Sequence, residues 1–439
     1  MSYKQMTGNL ISATKLVPTA NSSSAYGVAT GVWNLNDMYD YKRGGQWPIP
    51  AGVPGAPTIS GVTGGNAQVA VAFGANADNG GLAVSSFTAL ASSGQSASAT
   101  SSPITVTSLT NGTAITFTVT ATNPAGTSAA SSASSSVTPV NPPRGIFAGG
   151  SNQGGQITNI IQYITISSTG NAADFGDLNE NLDRAGSGMC SSTTRALFCA
   201  GRDGSANNKR INYVTIASTG DAADFGDIDA NAYHLAQCSN ATRGIVAGGQ
   251  GRLRVITYVT IASLGNAQDF NDAFESDKFD HVGTASPTRG VFVGSDNQEI
   301  RYVTIATTGS EADFGDVNIF DSSAGGPLTP QSTAAVSSSV RGCFAGDSDG
   351  SNNFIFYLTF ASTGNGTDFG DLTNAGGRKA GASSSTRGCF AGGKYNGDTH
   401  NTIEYITIAS TGNGADFGDL TNTRTAWMSP GSSDHGGLQ

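Results

Sequence analysis

The stretch Ala173-Asp174-Phe175-Gly176-Asp177 reads ADFGD, and its central triplet does not stand alone. It returns as Asp224-Phe225-Gly226, Asp313-Phe314-Gly315, Asp368-Phe369-Gly370 and Asp416-Phe417-Gly418, with Asp269-Phe270-Asn271 as a worn copy. A catalytic site is built once, so six copies at near-even spacing mark an architectural repeat. Read outward, one unit runs Arg-Gly-x-Phe-Ala-Gly-Gly, a variable loop, x-Tyr-x-Thr-Ile-Ala-Ser-Thr-Gly-Asn, Ala-Asp-Phe-Gly-Asp-Leu, and a Gly/Ala/Ser tract. The opening arginine is Arg144, Arg195, Arg243, Arg289, Arg341 and Arg387. The tyrosine is Tyr163, Tyr213, Tyr258, Tyr302, Tyr357 and Tyr405.

Asp-Phe-Gly is also the magnesium-binding triplet of protein kinases. The Gly-rich loop, Val-Ala-Ile-Lys strand and His-Arg-Asp loop that would accompany it are missing, which sets that reading aside. Units of 44 to 55 residues, tyrosine to tyrosine, have the length of propeller blades. Each offers four strand-like runs: a (the small-residue tract), b (Arg-Gly-x-Phe-Ala), c (Tyr-x-Thr-Ile) and d (Asp-Phe-Gly-Asp-Leu). In run c, Ile161, Tyr163 and Thr165 face one way and Ile164 and Ile166 the other, as in a strand covered on both faces. Ser-Thr-Gly-Asn between c and d is a tight-turn signal. The phenylalanines are expected between blades, and the repeat aspartates are expected to accept backbone N–H or arginine donors. The first unit begins at run b, after Pro142-Pro143, and TRTAWMSPGSSD at the far end aligns with run a. A strand from roughly residues 424–434 is therefore predicted to complete the blade of Tyr163, giving six blades over residues 142–439.

Run b with its diglycine (Gly149-Gly150, Gly248-Gly249, Gly392-Gly393), followed by a tyrosine strand and an aromatic in d, resembles the kelch motif of β-propellers. The diglycine is broken at Cys199-Ala200-Gly201, Gly294-Ser295 and Gly346-Asp347, and phenylalanine replaces the kelch tryptophan. The consensus RGIFAGG…ITIASTGNAADFGDLT looks more like repeat proteins encoded by tailed bacteriophages of aquatic bacteria.

Residues 44 to 143 carry one charged residue, Asp78, and alternate apolar with small polar residues. That pattern predicts an antiparallel sandwich over residues 51–141. Leu109, Phe117, Val119, Ala121, Asn123 and Gly126 resemble the penultimate-strand signature of a fibronectin type III domain, with Ile115 in place of its tyrosine and Phe73 in place of its tryptophan. Residues 1–50 crowd Trp33, Leu35, Met38, Tyr39, Tyr41 and Trp47 into fifteen positions. Too short for a core of its own, this segment is expected to dock on something larger. It resembles N-terminal segments of phage structural proteins, which implies virion attachment through Trp33, Leu35, Tyr39, Tyr41 and Trp47. The fold class expected is all-β: a short N-terminal anchor, a fibronectin type III-like β-sandwich and a six-bladed kelch-like β-propeller.

Charged residues are 12% of the chain and the net charge is −10, which argues against a nucleic-acid partner. No apolar run reaches membrane-spanning length, and residues 1–20 lack the apolar core of a secretory signal. Four of the five cysteines stand in repeat-equivalent positions, Cys190 with Cys238 and Cys343 with Cys389, and read as small core residues. Four scattered histidines lack metal-ligand spacing, so neither metal nor cofactor is expected.

Tyrosine to phenylalanine, across the c–d turn, is 12 residues in all six units. Arginine to tyrosine, across b–c, runs 19, 18, 15, 13, 16 and 18. In a meander the b–c and d–a connections share one end, so length variation gathers on one face, where binding surfaces are commonly built. The candidate ligand residues there are Arg202, Asp203, Arg252, Arg254, Lys394, Tyr395 and His400. These readings and resemblances imply a virion structural protein of fibre or tail type, assembled in the host cytoplasm and multimeric in the particle. Its expected partners are other virion proteins through residues 1–50 and a host-surface glycan or protein. A decoration protein without ligand is the alternative. A glycan-cleaving propeller is less favoured, because the acids sit at repeat positions and no Ser-x-Asp-x-Gly-x-Thr-Trp box occurs; no enzymatic activity is expected.

Overall fold

The computed structural model describes residues 51–439 apart from 153, 205, 251–253, 273–280, 295–297, 319, 322–325, 328–332, 347–351, 396, 422–425 and 439. Of the first fifty, it describes only the pairing of Thr19–Ala20 with Gly27–Val28. The chain divides into two compact units, Met1–Asn141 and Pro142–Gln439. Both are built of antiparallel strands, and no α-helix occurs among the described residues.

In the first unit, Thr58–Gly65, Gln68–Gly74 and Ile104–Thr107 form one sheet. Ser96–Ala99, Ser86–Ala91, Phe117–Asn123 and Gly126–Thr127 form a second. Alternation does what the sequence suggests: Val69, Val71, Phe73, Phe87, Ile104, Val106, Phe117 and Val119 from both sheets share one buried core. Asn123 is buried because it ties loops together. Its Nδ2 donates to the carbonyls of Gly52 (2.8 Å) and Asn79 (2.9 Å), and its Oδ1 accepts the N–H of Ala125. Beyond Thr127 the chain abandons the two-residue period. Ser128, Ser131 and Ser134 each donate an N–H to the Phe117–Asn123 strand (at Ala121, Val119 and Phe117) and accept one back on Oγ. A period of three thus replaces the expected alternation, since each hydroxyl stands in for a missing backbone acceptor.

The second unit repeats one sheet six times in a propeller-like arrangement. Strands b, c and d of unit 1 are Arg144–Ala148, Ile160–Thr165 and Ala173–Asp177. Its fourth strand is Ser429–Ser432, paired antiparallel to b with Gly145 opposite Ser432. Units 3 to 6 supply strand a from just ahead of b: Ala236–Ser239, Val282–Ala285, Ala334–Ser337 and Ala380–Ser383. Unit 2 departs from the expected four strands. Its sheet has three, and run a is reduced to a bridge between Ser191 and Ala196. There the chain bonds to unit 3 instead: Ser187 donates to Leu235 and accepts from Gln237.

Every apolar cluster of this unit is shared by two successive sheets, and one cluster joins Phe147 and Ile164 of unit 1 to Ala382, Cys389 and Phe417 of unit 6. The six repeat phenylalanines are all buried, each at a bulge between c and d. The aspartates beside them do not do what was expected. In all units whose side chains are described they lie at or near the surface, and the group used is the backbone N–H of the second one. That N–H donates to the Asx side chain in the neighbour's c–d turn: Asp177 to Asp221, Asp227 to Asn266, Asp316 to Asn365, Asp371 to Asn413 and Asp419 to Asn171, at 3.0–3.1 Å. The turn glycine donates in return to the phenylalanine carbonyl, as Gly220 does to Phe175 (2.7 Å). So tight a seam leaves no room for a side chain on the Asp-Phe-Gly glycine. A Cβ on Gly315, at φ +144, would lie 2.5 Å from the carbonyl oxygen of Gly364.

The repeat arginine clamps the same seam. Its guanidinium lies over the tyrosine of its own unit, 4.2–5.0 Å from the ring centroid. It then donates to a carbonyl past strand c of the next unit: Arg144 to Ile216, Arg195 to Ile261, Arg243 to Ile305, Arg289 to Phe360, Arg341 to Ile408 and Arg387 to Ile166. The tyrosine meets the phenylalanine edge to face, centroids 5.8–6.1 Å apart. Such a cation–ring–ring stack contributes about 1–2 kcal/mol per unit.

Strand a is lined with small residues because it faces other strands a. Five of the six units end it with serine (Ser432, Ser191, Ser239, Ser337 and Ser383), and most hydroxyls bond to the adjacent unit's backbone, as Ser191 Oγ does to Ser432 O at 2.7 Å. Past Ser432 the chain turns across these strands. His435 is buried, its Nε2 3.2 Å from Ser239 Oγ and 3.1 Å from Ser191 O. The N–H of Gly436 donates to Ser337 Oγ. All five cysteines are buried and none is in a disulfide, and desolvation pushes the thiols of Cys343 and Cys389 up to about 12.

Two measurements check this packing. Gly315→Ala should lower stability by more than about 1 kcal/mol in denaturant unfolding, while Gly364→Ala, whose added Cβ meets open space, should stay within about 0.5 kcal/mol. The second concerns an exchange of glycines. In units 1 and 3 to 6 the glycine after the repeat arginine faces run a of the preceding unit, as Gly244 faces Cys190 Sγ. Unit 2 has Ala196 there, and strand a of unit 1 supplies Gly431, whose added Cβ would lie 2.6 Å from that of Ala196. Gly431→Ala should therefore lower the melting temperature, and Ala196→Gly in the same chain should restore most of the loss.

Candidate functional site

The b–c and d–a connections meet at one end of the second unit, where backbone bridges join them: Ser151 to Ala426, Asp183 to Arg202, Tyr233 to Gln250 and Gly377 to Lys394. Just before strand a, four consecutive connections place a large side chain where the backbone is left-handed: Arg378 (φ +60), Trp427 (φ +59), Arg184 (φ +51) and His234 (φ +57). That conformation costs about 1 kcal/mol or more for any residue with a Cβ. Neighbours in this series are bonded through the backbone, Trp427 N–H to Arg378 O (3.1 Å) and His234 N–H to Arg184 O (2.9 Å). Together with Ala185, Ser187, Lys379 and Met428 they line a cavity of about 20 Å³, room for one water-sized group.

The indole of Trp427 lies between two guanidinium groups, Arg378 at 4.4 Å and Arg184 at 4.8 Å from its centroid, with the Lys394 ammonium at 5.9 Å. On the far side Arg202 lies over Tyr233 at 5.5 Å, and Tyr233 meets His234 edge-on at 5.0 Å. Burial, reinforced by the positive charge of Arg184, Arg378 and Arg202, pushes His234 down to about 3. Asp183 is buried beside Arg184 (3.7 Å), and desolvation raises its pKa against the pull of Arg184 and Arg202. Below the opening, Lys379 and Glu404 form a buried pair at 3.5 Å. Glu404 Oε1 also accepts the N–H of Thr373 at 2.7 Å. Burial lowers Lys379, opposed by Glu404. The equivalent residue of unit 1 is a neutral Gln162, which binds Thr421 alike without a lysine.

Of the candidates from sequence, Arg202 and Lys394 reach this cluster. Asp203 instead caps a turn, accepting the N–H of Ala206 at 3.2 Å. Tyr395 stands exposed at the tip of a small hairpin that pairs Lys394 with Thr399, and His400 follows it half-buried, its N–H bonded to Gly393 O. Arg254 is exposed in the b–c connection of unit 3. Arg252 and the attachment residues Trp33, Leu35, Tyr39, Tyr41 and Trp47 lie outside the described residues. Sequence reasoning missed Arg184, His234, Arg378 and Trp427. The available signal was a large residue two positions ahead of run a in units that otherwise keep that tract small; Arg184 is two residues out of this register and invisible to it. No protein-family model matches the chain, and no curated protein matches it.

Two histidines with depressed pKa values, the buried His435 and the half-buried His234, set a pH dependence. His435 is held at about 4 by desolvation and His234 at about 3, against about 6.5 in the unfolded chain. The unfolded state takes up protons that the folded state refuses. Their contribution is intact above pH 6.5 and is lost as pH falls from 6.5 toward 4 and then 3. His435→Gln should show a smaller drop in melting temperature between pH 7 and pH 4.5 than the parent.

Proposed function

We propose that this chain is a non-enzymatic virion structural protein of fibre or tail type. In this reading residues 142–439 are a closed six-bladed propeller and residues 51–141 a fibronectin type III-like sandwich. Residues 1–50 attach the chain to other virion proteins, and the propeller presents its b–c and d–a face to the host surface. The observation that carries the reading is an asymmetry between the two ends of the second unit. At the c–d end, turns of fixed length are used up in seams between units. At the other end the loops differ in length and chemistry, and four consecutive connections hold four strained, mostly cationic or aromatic side chains. Stereotyped turns hold a scaffold together, whereas unlike groups on one rigid face serve recognition. The phage-like consensus of the repeats supplies the virion context.

The test has two parts. Antibody against the full chain should decorate intact particles, and the fluorescently labelled full chain should bind cells of the host in which those particles grow. Chain absent from purified particles, or cell binding unaffected by an antibody that masks the loop face, would overturn the proposal.

A further inference from the structure

We infer that the opening framed by Arg378, Trp427, Arg184 and His234 binds a carboxylate group carried by an acidic glycan. This rests on the binding face proposed above and names its ligand class. Three observations converge on an oxyanion. Arg184, Arg202, Arg378 and Lys394 gather around two aromatic rings, on a chain whose net charge is −10. The acids around the opening include the buried Asp183, paired with Arg184, the buried Glu404, paired with Lys379, and Asp398, opposite Tyr395 in the hairpin. Among the enclosed polar groups here, Trp427 Nε1 lacks a protein hydrogen-bond partner, and Arg184 Nε has only Asp183 Oδ2 at 3.7 Å, beyond hydrogen-bond length, so an anion can supply an acceptor. His234, with its imidazole kept neutral, adds a group that can accept or donate rather than a further fixed charge.

The size of the opening selects among anions. A cavity of about 20 Å³ admits one oxygen-sized group and no sugar ring. The ligand must therefore present a terminal acidic group while its body stays outside. The opening takes one carboxylate oxygen, and a guanidinium at its rim, that of Arg184 or Arg378, can hold the other by a charge-assisted bond. The exposed ring of Tyr395, beside Lys394, offers a face for an adjoining sugar. The left-handed backbone gives the same argument from cost. Glycine would satisfy all four positions without strain, so the side chains are held there against a conformational penalty.

That cost makes the test decisive. Titration calorimetry would use the full chain with an oligogalacturonate, its methyl ester, and acetate and sulfate at matched concentration. The acid oligosaccharide should bind. The methyl ester should bind at least tenfold more weakly, and acetate and sulfate weakly or not at all. Arg184→Gly and Arg378→Gly should each weaken binding at least tenfold with an unchanged or raised melting temperature. Lys209→Gln, which removes equal charge elsewhere, should change nothing. Equal binding of the ester, or of sulfate alone, overturns the inference. So does a marked fall in melting temperature in both glycine variants, since the arginines would then be props for Trp427; Arg378→Gln, which keeps the side chain's bulk, must also lose binding. If the double glycine variant still binds host cells, this inference fails and the adhesion reading stands. If oligogalacturonate binds but cells do not, the reverse holds.

Discussion

The second unit depends on one constraint: successive sheets approach so closely that their backbones touch. At five of the six seams, a turn carbonyl of one unit lies where a Cβ of the unit before it would be, and glycine stands there; unit 3 has Asn271 at the equivalent position. The other repeat features follow from that approach. The phenylalanine fills the gap the bulge opens, and the Asx side chain caps the amide the bulge leaves unpaired. The arginine satisfies carbonyls exposed where strand c ends. Each contact is worth a kilocalorie or so, but their energies are coupled, because none can form unless the backbones are already in contact. A motif that looked like metal chemistry in one dimension is backbone packing in three.

This explains what the sequence disclosed. Spacing of Arg144, Tyr163 and Phe175 and their equivalents was legible because seam geometry tolerates no change in c–d length. The all-β class, the position of the strand at 429–432 and the core of the first unit followed from simple alternation and from matching runs. The aspartates misled, since a repeated acid suggests a repeated side-chain contact, and here the amide carries the bond while the carboxylate points outward. Ser128, Ser131 and Ser134 misled for a related reason: their three-residue period is invisible to a search for alternation.

The candidate site was only half legible. Arg202 and Lys394 were found because charged residues stand out in loops. Arg184, His234, Arg378 and Trp427 were not, because what unites them is a backbone angle and a place around the opening, neither written in residue type. Unit 2 obscures the pattern further. Its run a forms no strand and the chain at Ser187 bonds to unit 3, while Arg184, two positions out of register, still has its side chain over Trp427.

The exchange of glycine between Gly431 and Ala196 acts as an address label. Five seams carry the small residue on strand b and one carries it on strand a, so the strand at 429–432 fits beside unit 2 and is too small for the others. The label specifies a seam and not a molecule. A second copy's strand carries the same glycine and satisfies the same alanine, so at high local concentration two chains can complete one another's first sheet without losing a contact within it. Wherever copies of the chain gather, the same strand pairing is then available for exchange between them.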